Sequence, residues 1–316
     1  MHSTPSHYME YNLSGSNQFK NTTNKFTNDG TPNDLLQITY IITIIINVIT
    51  SPVTVLLNVL VIMAVRRRPR LQTYANILLA CLAATDVLTG LISQPSFILY
   101  GTFQLLNMRN SGIIVEVSLR ILSLCSLLHL MLITCDRLIA IKFTLRYPRP
   151  VTTQSIKVAV ITVWIVSFIS GVSRTINDES ITVISDLSVA SICISCILFI
   201  VCSYVILYRE ILRHQKKIKI EQIPQEELER FAKEHKALKT TVFVVGALLL
   251  CFVPGTFVLI FIISGPLPPM PAFNPLFRTF LMLNSFLNPL IYCWRQEEMR
   301  KFAFRCKRQA PLPPAN

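Results

Sequence analysis

Charged side chains are rare in the apolar segments of this chain, and two adjacent ones of opposite charge could form an ion pair. Asp136 and Arg137 are adjacent in the stretch "ITCDRLIAI", at the end of an apolar run. Charges at such a place are costly unless they face protein, water or a partner. Breaking an ion pair there leaves an unpaired charge, so the pair has the chemistry of a two-state latch.

A second group of charges lies earlier in the same run and in the last apolar segment. At a helical rise of about 1.5 Å per residue, Arg120 is roughly 25 Å from Arg137. Arg120 and Arg278 could attract a carboxylate, a phosphate or an acidic peptide side chain, with Glu116 orienting Arg120. Alternatively, Glu116 and Arg120 satisfy each other one helical turn apart, and Arg278 reaches toward the surface. The sequence leaves both interpretations open.

The elements that must position these groups are membrane helices. The chain has 316 residues, 52% of them hydrophobic and 15% charged, and its mean hydropathy is +0.50, too apolar for a soluble domain of this length. A helix that crosses a bilayer needs about 20 mainly apolar residues. Seven such segments lie between polar stretches, at roughly residues 36–65, 72–101, 112–142, 155–175, 184–210, 237–264 and 274–294.

The predicted fold is all-α, a seven-transmembrane helix bundle over residues 35–295. Residues 296–316 would add a short amphipathic helix on the cytosolic side and a short tail. Lysine and arginine concentrate in that tail and in the first and third loops on the same side, which predicts a cytosolic C-terminus and an extracellular tail over residues 1–34. No cleavable signal peptide is recognisable there. The net charge of +13 thus indicates contact with membrane lipids rather than nucleic-acid binding, in a multi-pass protein of the plasma membrane.

Three residues outside the predicted spans are candidate modification sites. Asn12 and Asn21 begin Asn-x-Ser/Thr sequons in the outer tail, which predicts glycosylation. Cys306, after "KFAF" in a basic amphipathic segment, is either a palmitoylation site or a free thiol. All nine cysteines fall in spans or in the cytosolic tail, so no extracellular disulfide is expected.

Six of the spans carry a polar, aromatic or proline landmark. In chain order these are Asn58, Asp86, Asp136 with Arg137, Trp164, Pro254, and Asn288-Pro289 with Tyr292. The ordered set resembles the rhodopsin-like (class A) G-protein-coupled receptors over about residues 36–306. This resemblance implies a receptor that couples an extracellular ligand to a heterotrimeric G protein.

The resemblance also implies roles at the cytosolic end of the bundle. In the family, the arginine matched by Arg137 is held by acids in the inactive state and is released to meet the G protein. Glu234 would be the second acid, Tyr147 would hydrogen-bond Asp136 after release, and Leu145 resembles an apolar residue that inserts into the G protein. The predicted latch and coupling residues are Asp136, Arg137, Leu145, Tyr147, Glu234 and Tyr292.

A buried sodium site is a second implication of the resemblance. The matching residues all carry oxygen, as a hard cation requires: Asp86, Ser126, Asn284, Ser285 and Asn288. The alternative is a hydrated polar cluster without an ion. The ion is favoured because an unpaired carboxylate at mid-membrane depth is costly, and this allosteric sodium is the only cofactor that the sequence suggests.

The chain departs from the family at several positions. Gly112 stands where the outer disulfide cysteine is usual, Cys196 replaces the fifth-helix proline, and Phe252 replaces the sixth-helix tryptophan. In lacking this disulfide and this proline, the chain resembles the melanocortin-receptor group.

Two ligand classes are disfavoured by single residues. Leu119 stands where receptors for amines have the aspartate that pairs with the ligand, which disfavours an amine. Met282 stands where opsins have the lysine that binds retinal, which disfavours retinal. The predicted pocket, for an anionic small molecule, a lipid or a peptide, consists of Glu116, Leu119, Arg120, Phe252 and Arg278.

Other function classes find less support in the sequence. No H-E-x-x-H motif occurs and no G-x-G-D precedes either span aspartate, so an enzyme is not expected. A transporter would show repeated halves and glycine-rich broken helices, whereas this chain has 9 glycines and no visible repeat. A transporter and a seven-helix receptor independent of G proteins are the alternatives.

Overall fold

The molecule, represented by a computed structural model, is built from helices packed along one another. The structure describes residues 31–108, 112–143, 152–176, 178–220, 243, 246–256 and 271–295, and these contain helices and no strands. Short 3-10 turns lie at Pro69–Leu71, Ser173–Thr175 and Pro271–Phe273. The helices are α1 (Thr31–Arg67), α2 (Tyr74–Leu105), α3 (Ile113–Phe143), α4 (Thr153–Val172), α5 (Glu179–Ile220), α6 (Gly246–Thr256) and α7 (Asn274–Arg295).

Five of these helices, α1 to α5, are long and apolar enough to cross a membrane by length and composition, and α6 is a shorter apolar helix. Their bounds agree with the predicted spans within a few residues at most ends. Three ends extend five residues or more beyond the predicted limits: α1 begins at Thr31, and α5 begins at Glu179 and ends at Ile220. The fifth helix therefore continues past its apolar part, while most of the sixth span lies outside the described residues.

Local sequence signals explain where the helices begin and bend. Thr73 and Thr152 cap α2 and α4, because each side chain accepts a hydrogen bond from the backbone N–H of the residue three positions later. Asp178 likewise accepts a hydrogen bond from the backbone N–H of Ile181 at the start of α5. Within α2, Thr89–Ser93 form a π turn just before Pro95. Because proline has no N–H to donate to the preceding turn, the wider turn adjusts the helix around it.

The bundle places polar side chains inside and apolar side chains outside. On α1, Ile45 and Ile49 are 54% and 62% exposed, whereas Thr43 and Asn47 are fully buried. This arrangement suits a helix whose outer face meets lipid, where exposed polar groups would lack partners. A buried apolar cluster from α1 to α6, including Leu82, Leu127, Ile200 and Leu248, holds the helices together.

Candidate functional site

The predicted latch lies near the end of α3. Arg137 Nη2 is 3.5 Å from Asp136 Oδ2, and the Arg137 side chain is 31% exposed while that of Asp136 is 11% exposed. The arginine is therefore accessible to a second partner while it contacts the adjacent acid. Tyr292 belongs to α7, but its side chain is outside the described part of the structure, and so are Leu145, Tyr147 and Glu234.

The predicted sodium residues meet in the middle of the bundle. Asp86 of α2 is completely buried, and its Oδ2 accepts a hydrogen bond of 3.1 Å from Asn288 Nδ2 of α7. Asn284 Nδ2, also on α7, donates to Ser126 Oγ of α3 over 3.1 Å. Ser285, on α7 as well, is also buried. The five predicted sodium residues are thus all buried and come from three helices, α2, α3 and α7.

This polar core contains oxygens that the protein leaves unpaired. Asp86 Oδ1, Asn284 Oδ1 and Asn288 Oδ1 are buried and have no hydrogen-bond partner among the described residues. A buried acceptor without a partner costs on the order of 1–3 kcal/mol, and more when it is charged. Carboxylate and amide oxygens are the ligands of hard cations. The donor set therefore fits a small cation or water.

At the outer end of the bundle, the charged residues pair differently from either sequence-based interpretation. Arg278 of α7 forms an ion pair with Glu116 of α3, and its guanidinium carbon lies 5.7 Å from the ring centre of Tyr100. Tyr100 in turn meets Tyr40 of α1 edge to face, with ring centres 6.4 Å apart. Arg278 therefore links α7 to α3, which argues against the alternative in which its side chain reaches toward the surface.

The partner of Arg120 is an acid that the sequence analysis did not identify. Arg120 pairs with Asp186 of α5 and donates a hydrogen bond of 2.9 Å to Ser185 Oγ. Arg174, just after α4, lies 3.3 Å from the other oxygen of Asp186. The predicted orientation of Arg120 by Glu116 is therefore wrong. The signal that could have revealed Asp186 was its place beside the short segment between the fourth and fifth spans, close to Arg174.

Gly112 adds a local reason for the packing of Tyr100. Its φ is +64°, and a Cβ atom built on it would lie 2.6 Å from the Tyr100 ring. Both the backbone conformation and the close approach favour glycine. The residue in the usual cysteine position therefore lets the Tyr100 ring pack tightly against the start of α3.

The apolar pocket residues belong to two buried apolar clusters. Leu119 is buried together with Phe97, Val115 and Met282 in a small apolar cluster. Phe252 of α6 belongs to the large apolar cluster of the bundle and is also buried. The five predicted pocket residues thus comprise three charged side chains that form ion pairs and two apolar side chains that are buried.

The predicted modification sites Asn12, Asn21 and Cys306 lie outside the described residues. The seven cysteines whose side chains the structure describes are free thiols.

Comparison with known proteins gives one family and a consistent set of relatives. The profile of the family described as "7 transmembrane receptor (rhodopsin family)" matches residues 57–292. The chain is 26% identical to melanocortin receptor 4 of Danio rerio over 256 residues, with 77% of each chain covered. It is 28% identical to melanocortin receptor 5 of Rattus norvegicus over 262 residues, again with 77% of each covered. It is also 27% identical to the histamine H2 receptor of Canis lupus familiaris over 279 residues, 79% of this chain and 76% of that receptor.

Proposed function

The chain belongs to the rhodopsin family of seven-transmembrane receptors, and we propose that an extracellular ligand shifts its helix bundle so that Arg137 leaves Asp136 and engages a heterotrimeric G protein. The family assignment confirms the predicted seven-helix fold of a multi-pass membrane protein and its resemblance to melanocortin receptors. The observation that carries the proposal is the partly buried ion pair near the end of α3, in which the arginine is the more exposed partner.

The Asp136–Arg137 pair has the properties of a release element. An ion pair in water is worth little, about 0–1 kcal/mol, but this pair lies in an apolar helix where an unpaired charge is costly. The arginine therefore needs a partner in each state: Asp136, with Glu234 as the proposed second acid, in the resting state, and the G protein in the active state. A ligand can move this equilibrium only by as much as it prefers one state over the other.

Sodium at Asp86 is the proposed allosteric modulator. When bound, the ion supplies a positive charge that compensates the buried carboxylate. Asp86 and the unpaired amide oxygens of Asn284 and Asn288 would hold it, with Ser126 and Ser285 completing the site. Since these residues belong to α2, α3 and α7, any shift of α7 changes the site. Ligand binding and sodium binding are therefore linked through the same helices.

The outer charge cluster is the proposed ligand site. Its two ion-pair groups contain three arginines, Arg120, Arg174 and Arg278, but only two carboxylates, those of Glu116 and Asp186. Each guanidinium carries five N–H donors, so the groups retain a net positive charge and the capacity to bind another acceptor. This favours an anionic ligand, which would be a small molecule, a lipid headgroup or an acidic peptide side chain.

The proposed setting is the plasma membrane, with the N-terminus outside and the C-terminus in the cytosol. Glycosylation at Asn12 and Asn21 and palmitoylation at Cys306 are part of this proposal. They follow from the orientation, since the sequons would lie on the outer side and Cys306 close to anionic lipids of the inner leaflet.

The function is tested by a panel of G-protein activation sensors in cells that express the chain at matched surface levels. The unmodified chain, Arg137→Ala and Glu234→Ala are compared. We expect Glu234→Ala to raise basal activation of at least one G protein, because Arg137 loses an acid, and Arg137→Ala to abolish it. Equal signals from all three proteins would contradict the latch, and solute uptake without any G-protein response would favour the transporter alternative.

A further inference from the structure

One face of α1 is polar and buried through the middle of the helix. The face consists of Thr39, Thr43, Asn47, Thr50, Thr54 and Asn58, spaced three or four residues apart and all buried. We name these six residues, together with Ser93 and Gln94 of α2 and Thr279 of α7, the α1 seam. From Thr39 to Asn58 the seam extends about 28 Å at the rise of an α-helix, nearly the roughly 30 Å of a bilayer's hydrocarbon core.

The seam joins three helices through side-chain amides. Gln94 Nε2 donates to Asn47 Oδ1 over 3.1 Å and to Thr50 Oγ1 over 2.9 Å. Asn47 Nδ2 donates to Thr279 Oγ1 over 3.0 Å. At the outer end, Thr39 Oγ1 lies 2.8 Å from the carbonyl oxygen of Ala272, at the beginning of α7. The seam thus runs from the outer end of α7 into the centre of the bundle.

A purely structural network would leave few polar atoms unpaired. Several seam hydroxyls do bond to carbonyls of their own helix, as buried threonines commonly do. Thr54 Oγ1, Ser93 Oγ and Gln94 Oε1, however, are buried and have no hydrogen-bond partner in the part of the chain that the structure describes. Each such atom costs about 1–3 kcal/mol when dry, whereas buried water in a polar site relieves this cost.

The unpaired oxygens of the seam lead to Asp86. Helices α1 and α2 are antiparallel, and Ser51 Oγ donates to the carbonyl oxygen of Gly90 over 2.8 Å. Following α1 inward by one turn and α2 back by one turn from this contact brings Thr54 to the level of Asp86. Asn58, at the inner end of the seam, donates to the carbonyl oxygen of Ser285 beside that carboxylate. By its position along the helices, Thr54 therefore lies between the level of Gln94 and the inner end of the seam, at the depth of the buried acid.

The described part of the bundle's centre is apolar around the outer charges. Phe97, Val115, Leu119 and Met282 form a buried apolar cluster, in which Val115 directly precedes Glu116 and Leu119 directly precedes Arg120 in α3. A cation moving down the centre would meet both arginines and apolar side chains, which oppose it.

We propose that the α1 seam holds a file of water and is the route by which small monovalent cations, sodium foremost, pass between the outer face and Asp86. The amide of Gln94 and the hydroxyls of Ser93 and Thr54 replace part of the ion's hydration shell on the way. The choice of sodium as cargo rests on the proposed sodium site, but the hydration of the seam does not.

The experiment uses silver ion, a thiol-reactive monovalent cation, applied from outside to cells that express the full-length chain. Thr54→Cys places a thiol in the seam by a nearly isosteric change, and Ile45→Cys places one on the lipid-facing side of the same helix. Because α1 contains no native cysteine, maleimide labelling of its peptides after denaturation measures the fraction that silver has blocked. Thr43→Cys, higher in the seam, serves as a second reporter if Thr54→Cys fails to reach the surface.

We expect silver to block Thr54→Cys and Thr43→Cys at least roughly tenfold faster than Ile45→Cys, since a thiol ionises only where water reaches it. Adding Gln94→Leu should slow the reaction of Thr54→Cys and leave that of Thr43→Cys unchanged. Seam thiols that react no faster than Ile45→Cys would overturn the proposal, and so would a rate at Thr54→Cys that Gln94→Leu leaves unchanged. Dependence of thermal stability on sodium, measured on the unmodified chain, tests the Asp86 site separately.

Discussion

Asp186 is expected to be the acid that keeps two arginines from repelling each other at the outer end of the bundle. It accepts from Arg120 and lies 3.3 Å from Arg174, and its side chain is 21% exposed. Asp186→Asn preserves the shape and removes the charge. Breaking a buried ion pair lowers the free energy of unfolding by about 3–5 kcal/mol, and breaking an exposed pair lowers it by about 0–1 kcal/mol. Because Asp186 is partly exposed, Asp186→Asn should lower the free energy of unfolding by roughly 2 kcal/mol.

Thermal unfolding of the purified protein measures this loss. Buried thiols such as Cys125, Cys196 and Cys251 become accessible on unfolding, so a dye that fluoresces on reaction with thiols reports Tm. At about 2–4 °C per kcal/mol for a chain of comparable size, Asp186→Asn should lower Tm by roughly 4–8 °C. The control Arg174→Gln removes only the longer contact, between Arg174 and Asp186. It should lower the free energy of unfolding by less than about 1 kcal/mol.

A double mutant separates the ion pair from other effects of the substitution. If Asp186 acts by pairing with Arg120, then Arg120→Gln combined with Asp186→Asn should be less destabilised than the sum of the single variants, by about 1 kcal/mol or more. Additive losses, or an unchanged Tm for Asp186→Asn, would refute this reasoning.

Three further predictions concern packing and the polar core. Gly112→Ala should destabilise the protein by about 1–3 kcal/mol, measured by the same dye assay, because its φ is +64° and the new Cβ would lie 2.6 Å from the Tyr100 ring. Gly171→Ala should also lower Tm, because its Cβ would meet Ile121 at 2.1 Å, and adding Ile121→Ala should recover part of the loss. Asp86→Asn should abolish any difference in Tm between sodium and potassium chloride, and a difference that survives would place the ion elsewhere.

The sequence predicts the membrane helices well because their signal is local. Apolar runs of sufficient length and the residues between them locate α1 to α5 within a few residues at most ends. Gly112 could also be identified as unusual, since it stands where the family has a cysteine. Its contact with Tyr100, by contrast, depends on how α2 and α3 meet.

Pairing between helices was not predictable in the same way. Glu116 and Arg120 have the spacing of an intrahelical pair, yet each finds a partner on another helix, Arg278 and Asp186. The choice depends on the rotation of α3 about its axis and on the short connection before α5, which neighbouring side chains determine only after packing. The α1 seam is an intermediate case, because the spacing of its polar residues is visible in the sequence but its link to Gln94 is not.

The most direct test of the central claim is nucleotide exchange on purified heterotrimeric G proteins by the purified chain in lipid nanodiscs, without ligand. Asp136→Asn removes the acid that contacts Arg137, so it should accelerate exchange on at least one G protein relative to the unmodified chain. Asp136→Asn combined with Arg137→Ala should lose that gain. Exchange that is the same with all three proteins, or a gain that persists without Arg137, would contradict the account of Arg137 as the group released to the G protein.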